Sequence, residues 1–288
     1  MKKRLRLHPF LWSSLILVSS QALSFYVSFR LKDFLEQNQI ALPEVSFQIG
    51  LVYYLGSIAL VGLILFLVPA SVLKSILKAL FILMFAWGLF VVLWLTLPLL
   101  PALLISIAAG LVWFFRPRLW LHNLLLIASL ASFGSVFGFL FTPWTVILLM
   151  LVLSIYDVLA VRFGYMIWMA QRLSESETLP AFIIPKNMAT WNLNVKRASI
   201  ARLMEEEPAE REFAVLGGGD IGFPLLLIAS VFFTYGFTQS LIVAAFSLVG
   251  LVSAFLIQMT FLKGKPMPAL PPIFLASLTG FLIAYFVF

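Results

Sequence analysis

Apolar runs of about twenty residues or more, each bounded by charge, fill most of the 288-residue chain. A bilayer core is crossed by about 20 apolar helical residues, so the charges divide these runs into crossings. Residues 9–29 make one span between Arg6 and Arg30, and residues 46–70 make a second between Glu44 and Lys74. Residues 79–115 are 37 uncharged positions, roughly 55 Å as one helix and nearly twice the hydrocarbon thickness. That run must turn back. Pro98 and Pro101 supply the hinge, because each removes a helix donor and disfavours helix in the residue before it. Residues 119–161 carry one charge, Asp157, and are expected to break at Thr142-Pro143; residues 221–262 carry none and are expected to break between Gly236 and Ser240. Residues 270–288 form the last span. The pattern predicts an all-α polytopic membrane protein with nine transmembrane helices: helices one to six in residues 1–161, a polar loop in 162–213, and helices seven to nine in 214–288.

Composition agrees with a lipid solvent. The chain is 62% apolar and 11% charged, with a mean hydropathy of +1.08, which excludes an ordinary soluble globule. Its formal charge of +7 is not the mark of a nucleic-acid binder, since no basic stretch with interleaved aromatics follows Arg6. The basic residues report topology instead. With nine crossings, seventeen of the nineteen Lys and Arg fall on the side of the N-terminus, and only Arg30 and Lys32 lie opposite. By the positive-inside rule the N-terminus and the 162–213 loop are cytoplasmic and the C-terminus is outside, in a cell membrane. Residues 2–22 imitate a signal peptide, with a basic start and Ser20-Gln-Ala22, but the apolar stretch is longer than a typical signal core. There are no cysteines, so disulfides, thiolate metal sites and a cysteine nucleophile are excluded. In the 162–213 loop seven basic and seven acidic residues cancel. It reads as a solvated linker between two halves of the protein, with a short surface helix conceivable over 196–207.

Ten of the twelve carboxylates lie in loops; the other two are Asp157 and Asp220. An Asp in the middle of a membrane helix costs about 2.5–3.5 kcal/mol on insertion scales, so such an acid is a functional candidate. Asp157 lies about 7–8 Å along the helix before Arg162, and Asp220 lies about 12 Å after Glu212. Both therefore fall in the cytoplasmic third of consecutive, antiparallel helices. Neighbouring axes 8–10 Å apart bring two short carboxylates at one depth together. Like charges in a dry site do not both ionise easily, so the pair is expected to share a proton. That is the arrangement of an aspartic protease, in which one carboxylate takes a proton from water while the other donates to the carbonyl oxygen. The competing structural reading makes Asp220 a helix cap after Gly217, Gly218 and Gly219, and turns Asp157 toward cytoplasmic water.

Tyr156-Asp157, Gly217-Gly218-Gly219-Asp220 and Pro268-Ala269-Leu270 resemble the YD, GxGD and PAL motifs of the presenilin and signal peptide peptidase family. They occur in order on the sixth, seventh and ninth predicted spans, and the resemblance covers essentially the whole chain. It implies an intramembrane aspartyl endopeptidase with Asp157 and Asp220 as catalytic residues and transmembrane segments of other proteins as substrates. The predicted orientation looks like presenilin; signal peptide peptidases run the opposite way. In presenilin the large loop is self-cleaved and accessory subunits assemble around it, but nothing in residues 162–213 marks a cleavage site. Beyond substrate segments and lipid, a homo-oligomer is left open.

The flanks fit that chemistry. Gly217, Gly218 and Gly219 remove bulk, so that a helix or a substrate backbone can approach closely. No Lys-Ser/Thr follows them, which argues against a phosphate-binding loop. Pro268, Pro271 and Pro272 keep the segment before the last span from being helical and expose carbonyls that an unwound substrate could meet by strand addition. Tyr156 reads as a packing residue bordering Asp157. No cofactor or metal is expected: His8 and His122 are the only histidines, and no HExxH set exists. Ser135 is about 20 Å from His122 along one helix, too far for a serine–histidine dyad. His122 reads as an interfacial polar residue beside Arg118. The rival function is a proton- or cation-coupled transporter or channel, which also uses paired acids and broken helices, though near the membrane midplane.

Overall fold

The three overlong apolar runs break where proline, threonine and glycine were expected to break them. The computed structural model describes residues 7–40, 56, 60, 63, 67, 70–164, 178–195, 212–262 and 267–287. Its elements are α1 (Leu7–Gln37), α2 (Ala70–Trp94), α3 (Leu99–Phe115), α4 (Leu119–Leu140), α5 (Pro143–Arg162), β1 (Ala181–Pro185), β2 (Phe213–Gly217), α6 (Gly218–Tyr235), α7 (Phe237–Thr260) and α8 (Leu270–Val287). Pro98 caps α3 after a turn through Thr96 and Leu97. Thr142 caps α5, its hydroxyl accepting from the Thr145 N–H, and Pro143 occupies the first turn, where its missing N–H is harmless. Gly236, at φ +103°, separates α6 from α7 in a conformation that favours glycine.

Seven of these helices are long and apolar enough to cross a membrane, and α3 is a shorter apolar helix. The predicted second span, residues 46–70, lies largely outside the described residues; Gly56, Leu60, Leu63, Leu67 and Ala70 within it are helical. Helix α1 runs on past Arg30, where charge was expected to end the span. The Arg30 guanidinium donates to the Leu95 carbonyl at 2.8 Å, and Lys32 pairs with Glu36 one turn on. Charge thus ends the apolar stretch without ending the helix, because i,i+4 pairing supports it outside lipid.

Helix α6 is the centre of the bundle and packs against α1, α4, α5, α7 and α8. Small residues let it sit close to α4. A Cβ added at Gly134 would come within 2.8 Å of Leu225, and one at Gly138 within 2.5 Å of Ala229. These glycines, four residues apart, form a small-residue seam of the kind that lets membrane helices approach. Gly250 and Gly280 play the same part between α7 and α8. Buried hydroxyls and amides tie the remaining helices: Ser24 and Ser28 meet Ser135 at 3.0 and 3.1 Å, and the Gln21 amide donates to the Ala244 carbonyl and the Ser247 hydroxyl.

Two departures from expectation concern the polar segment. Strands β1 and β2 form an antiparallel pair with Ala181 opposite Gly217 and Pro185 opposite Phe213, so the protein is not purely α. Far from being a solvated linker, β1 is buried along its whole length. Ile183 and Phe213 pack with Leu119 and Val195 in a small core beside the start of α4. The segment docks because its apolar residues find this core and its backbone finds polar partners on α4. The conceivable helix over 196–207 lies outside the described residues.

Candidate active site

Strand β2 runs straight into α6, and this junction positions Asp220. Gly217 is the N-cap, so Asp220 falls in the first helical turn, and its carboxylate accepts a hydrogen bond from the Gly217 N–H. This is the returning half of a capping box, which satisfies one of the donors a helix start leaves open. Asp220 is therefore not the N-cap itself. Pro224 lacks the N–H that would reach the Asp220 carbonyl four residues back, which loosens the helix next to the carboxylate.

Each glycine of the motif has its own reason. A Cβ on Gly217 would stand 2.9 Å from the Asp220 Oδ2, and one on Gly218 would stand 2.7 Å from the Pro180 carbonyl oxygen. The Gly218 N–H donates to that same carbonyl at 2.9 Å, locking the start of α6 to the residue before β1. Gly219 is exposed and would meet only the Phe223 ring, at 3.2 Å.

Asp157 reaches the same place from α5. Its Oδ2 accepts from the Leu270 N–H at 3.3 Å, the first residue of α8. Pro268 and Ala269 are partly buried, non-helical residues leading into that contact. Because α8 starts there, the Leu270 N–H has no intrahelical partner and is free to serve the carboxylate. Asp157 and Asp220 are close enough for the charge of one to act on the other. The structure thus brings the three motif segments together. Tyr156 departs from expectation: it is 42% exposed, on the outer surface of α5 with Ile155, Val158 and Leu159. A residue adjacent to one facing the bundle must point elsewhere on a helix.

Among the described residues no group of three or more His, Asp and Glu could hold a metal ion. His122 is not interfacial but fully buried, ringed by Phe81, Phe85 and Trp113. Its Nε2 meets the Ala181 carbonyl at 3.1 Å, and the neighbouring Asn123 side chain bonds both backbone groups of Ile183, at 2.8 and 3.1 Å. These contacts escaped sequence reasoning, because a His-Asn pair at a helix start carries no signal of a strand sixty residues away.

A bundle with seven membrane-length helices and two acids close enough to interact at one end fits the class of membrane-embedded aspartic endopeptidases. Over residues 13–288 the chain matches the family described as signal-peptide peptidase, presenilin aspartyl protease, and it belongs to that family. Its fold is that of two solved structures of a presenilin family intramembrane aspartate protease. One, in space group C222, is 19% identical, with a TM-score of 0.65 over 97% of this chain and 100% of that one. The other, in P2, is 19% identical, with a TM-score of 0.66 over 97% and 98%. No curated protein matches the sequence.

Proposed function

We propose that the protein hydrolyses peptide bonds within transmembrane helices of other proteins, with Asp157 and Asp220 as a shared-proton dyad. The ionised carboxylate takes a proton from a water molecule, the resulting hydroxide adds to the scissile carbonyl carbon, and the protonated carboxyl donates to the carbonyl oxygen. Collapse of the tetrahedral intermediate returns a proton to the leaving amine. Which carboxylate starts in which state is a property of the pair, not of either residue. The observation that carries this reading is the 3.3 Å contact from the Leu270 N–H to Asp157, because it joins the PAL segment to one acid beside the other.

A transmembrane helix has its backbone groups satisfied internally and must unwind before its carbonyl can be attacked. Strand β2 offers those groups a partner. In an antiparallel pair, opposed residues turn their N–H and C=O either both toward or both away from each other. Ile183 spends both groups on Asn123, outward from β2. Val215, directly opposite, therefore turns its own groups to the other edge of β2, two residues before Gly217, and its side chain is exposed. An extended substrate segment hydrogen-bonded to Val215 lies along the approach to Asp220. In this reading the chain has nine spans and the site end is cytoplasmic, which the basic residues Arg116, Arg118, Arg162 and Lys186 near that end support.

The test is cleavage of a labelled single-span peptide by purified protein. Loss of cleavage in both Asp157→Ala and Asp220→Ala is expected. Undiminished cutting in either variant, or a response confined to ion flux in liposomes, overturns the reading.

A further inference from the structure

The sheet has two edges, and they are treated differently. The β2 edge at Val215 has no partner strand among the described residues, whereas the β1 edge is closed by side chains of α4. Asn123 behaves as a single peptide unit of a third strand. Its Oδ1 accepts from the Ile183 N–H at 3.1 Å and its Nδ2 donates to the Ile183 C=O at 2.8 Å. One turn of ladder is thereby completed without a strand. His122 adds a bond to the Ala181 carbonyl at 3.1 Å. A carbonyl only accepts, so Nε2 carries the proton. Both side chains are buried, so the bonds are shielded from water.

Two residues from Ile183 the ladder reaches the active site. Ala181 stands opposite Gly217, Pro180 accepts from the Gly218 N–H, and Gly217 donates to the Asp220 carboxylate. The His122–Ala181 and Pro180–Gly218 bonds, the Ala181–Gly217 pairing and the Gly217–Asp220 bond therefore link the start of α4 to Asp220. A one-residue slip of β1 against β2 would undo the Ala181–Gly217 pairing and the Pro180–Gly218 bond, and an edge left open would invite such a slip or the pairing of a substrate on the wrong side.

We propose that Asn123, assisted by His122, is a positioning residue of the protease: it closes the outer edge of the sheet, holds the β1–β2 register that sets Asp220, and confines an incoming strand to the β2 edge. The proposal rests on the reading of Asp157 and Asp220 as the dyad. Asn123→Leu keeps the volume but leaves both Ile183 groups unpaired. It is expected to lower kcat roughly a hundredfold, the scale of an ångström-sized misplacement, with KM little changed and with product ends spread over several peptide bonds by mass spectrometry. His122→Phe suits the aromatic surroundings but lacks the donor, and should show a smaller loss of the same kind. His122→Gln, which can still donate to Ala181, should recover most of that loss.

Parental kcat and parental products in Asn123→Leu overturn the proposal, as does equal impairment in His122→Phe and His122→Gln, which marks a packing role alone. If Asn123→Leu does not yield folded protein by its thermal transition, the two His122 variants decide. Asp157→Ala and Asp220→Ala are assayed alongside. If either cuts like the parent, the dyad reading fails whatever Asn123 does; if both are inactive and the Asn123 and His122 variants behave as the parent, only the positioning proposal fails.

Discussion

The two acids stand in unlike surroundings. Asp220 lies in the first turn of the central helix, is bonded by the N–H of Gly217 three residues back, and is followed by the buried Ile221 and Leu225. Asp157 lies near the end of α5, between exposed residues, and its bonding N–H comes from Leu270, 113 residues away. One carboxylate is therefore bonded within its own strand–helix junction and the other by the approach of a distant helix. The local bond forms with its helix, and the Pro180–Gly218 bond ties that helix start to β1. Setting by α8 depends on α5 and α8 staying packed at their ends.

The comparison breaks outright if one acid proves dispensable. Removing either carboxylate should cost roughly 10³-fold or more in cleavage rate, since proton transfer by a positioned group contributes up to about 10⁴-fold. The rate should also follow a bell in pH, because the doubly protonated pair lacks a base and the doubly ionised pair lacks an acid. A flat profile between pH 4 and 8, measured with the labelled peptide, would count against a shared proton. The next largest effect belongs to the locally set acid. Gly217→Ala puts a methyl 2.9 Å from the Asp220 Oδ2 and should lower kcat by about a hundredfold with little change in thermal midpoint. Gly218→Ala instead meets the Pro180 backbone at 2.7 Å, and should also destabilise the protein by about 1–3 kcal/mol. Equal thermal midpoints for the two variants would show that the junction yields more easily than its geometry implies.

The elements legible in the sequence were those with a strong local cause. Apolar runs bounded by charge located the helices, and Pro98, Thr142 and Gly236 located the breaks, because a missing donor, a capping hydroxyl and a left-handed backbone act within a few residues. Asp157 and Asp220 stood out because carboxylates are costly in lipid. What stayed hidden was tertiary. Phe213 fell at the end of the polar loop and Val215 at the entry to the seventh span, yet both pair with residues 181–185 as a strand. The seam through Gly134 and Gly138 is visible as a spacing, but only packing reveals that α6 is its partner. Tyr156 belongs to a motif and still faces outward, since adjacency in sequence on a helix is not adjacency in space.

The finest distinction between the two acids lies in the single bond from Leu270. Leu270→Pro deletes the N–H while Pro271 and Pro272 already keep this turn compatible with proline. Losing a hydrogen bond to a charged group is worth about 1.5–3 kcal/mol, so cleavage should fall by about ten- to a hundredfold. Leu270→Ala retains the N–H and removes buried side-chain packing, so it should lower thermal stability, by about 2–5 kcal/mol at most, while leaving the pH profile of the surviving activity unmoved. The discriminating readout is that profile. In Leu270→Pro the bell should move, because the lost N–H acts on the pair that shares the proton, whereas in Leu270→Ala it should stay. A bell left at the parental position in Leu270→Pro would show that the Leu270 N–H does not hold Asp157.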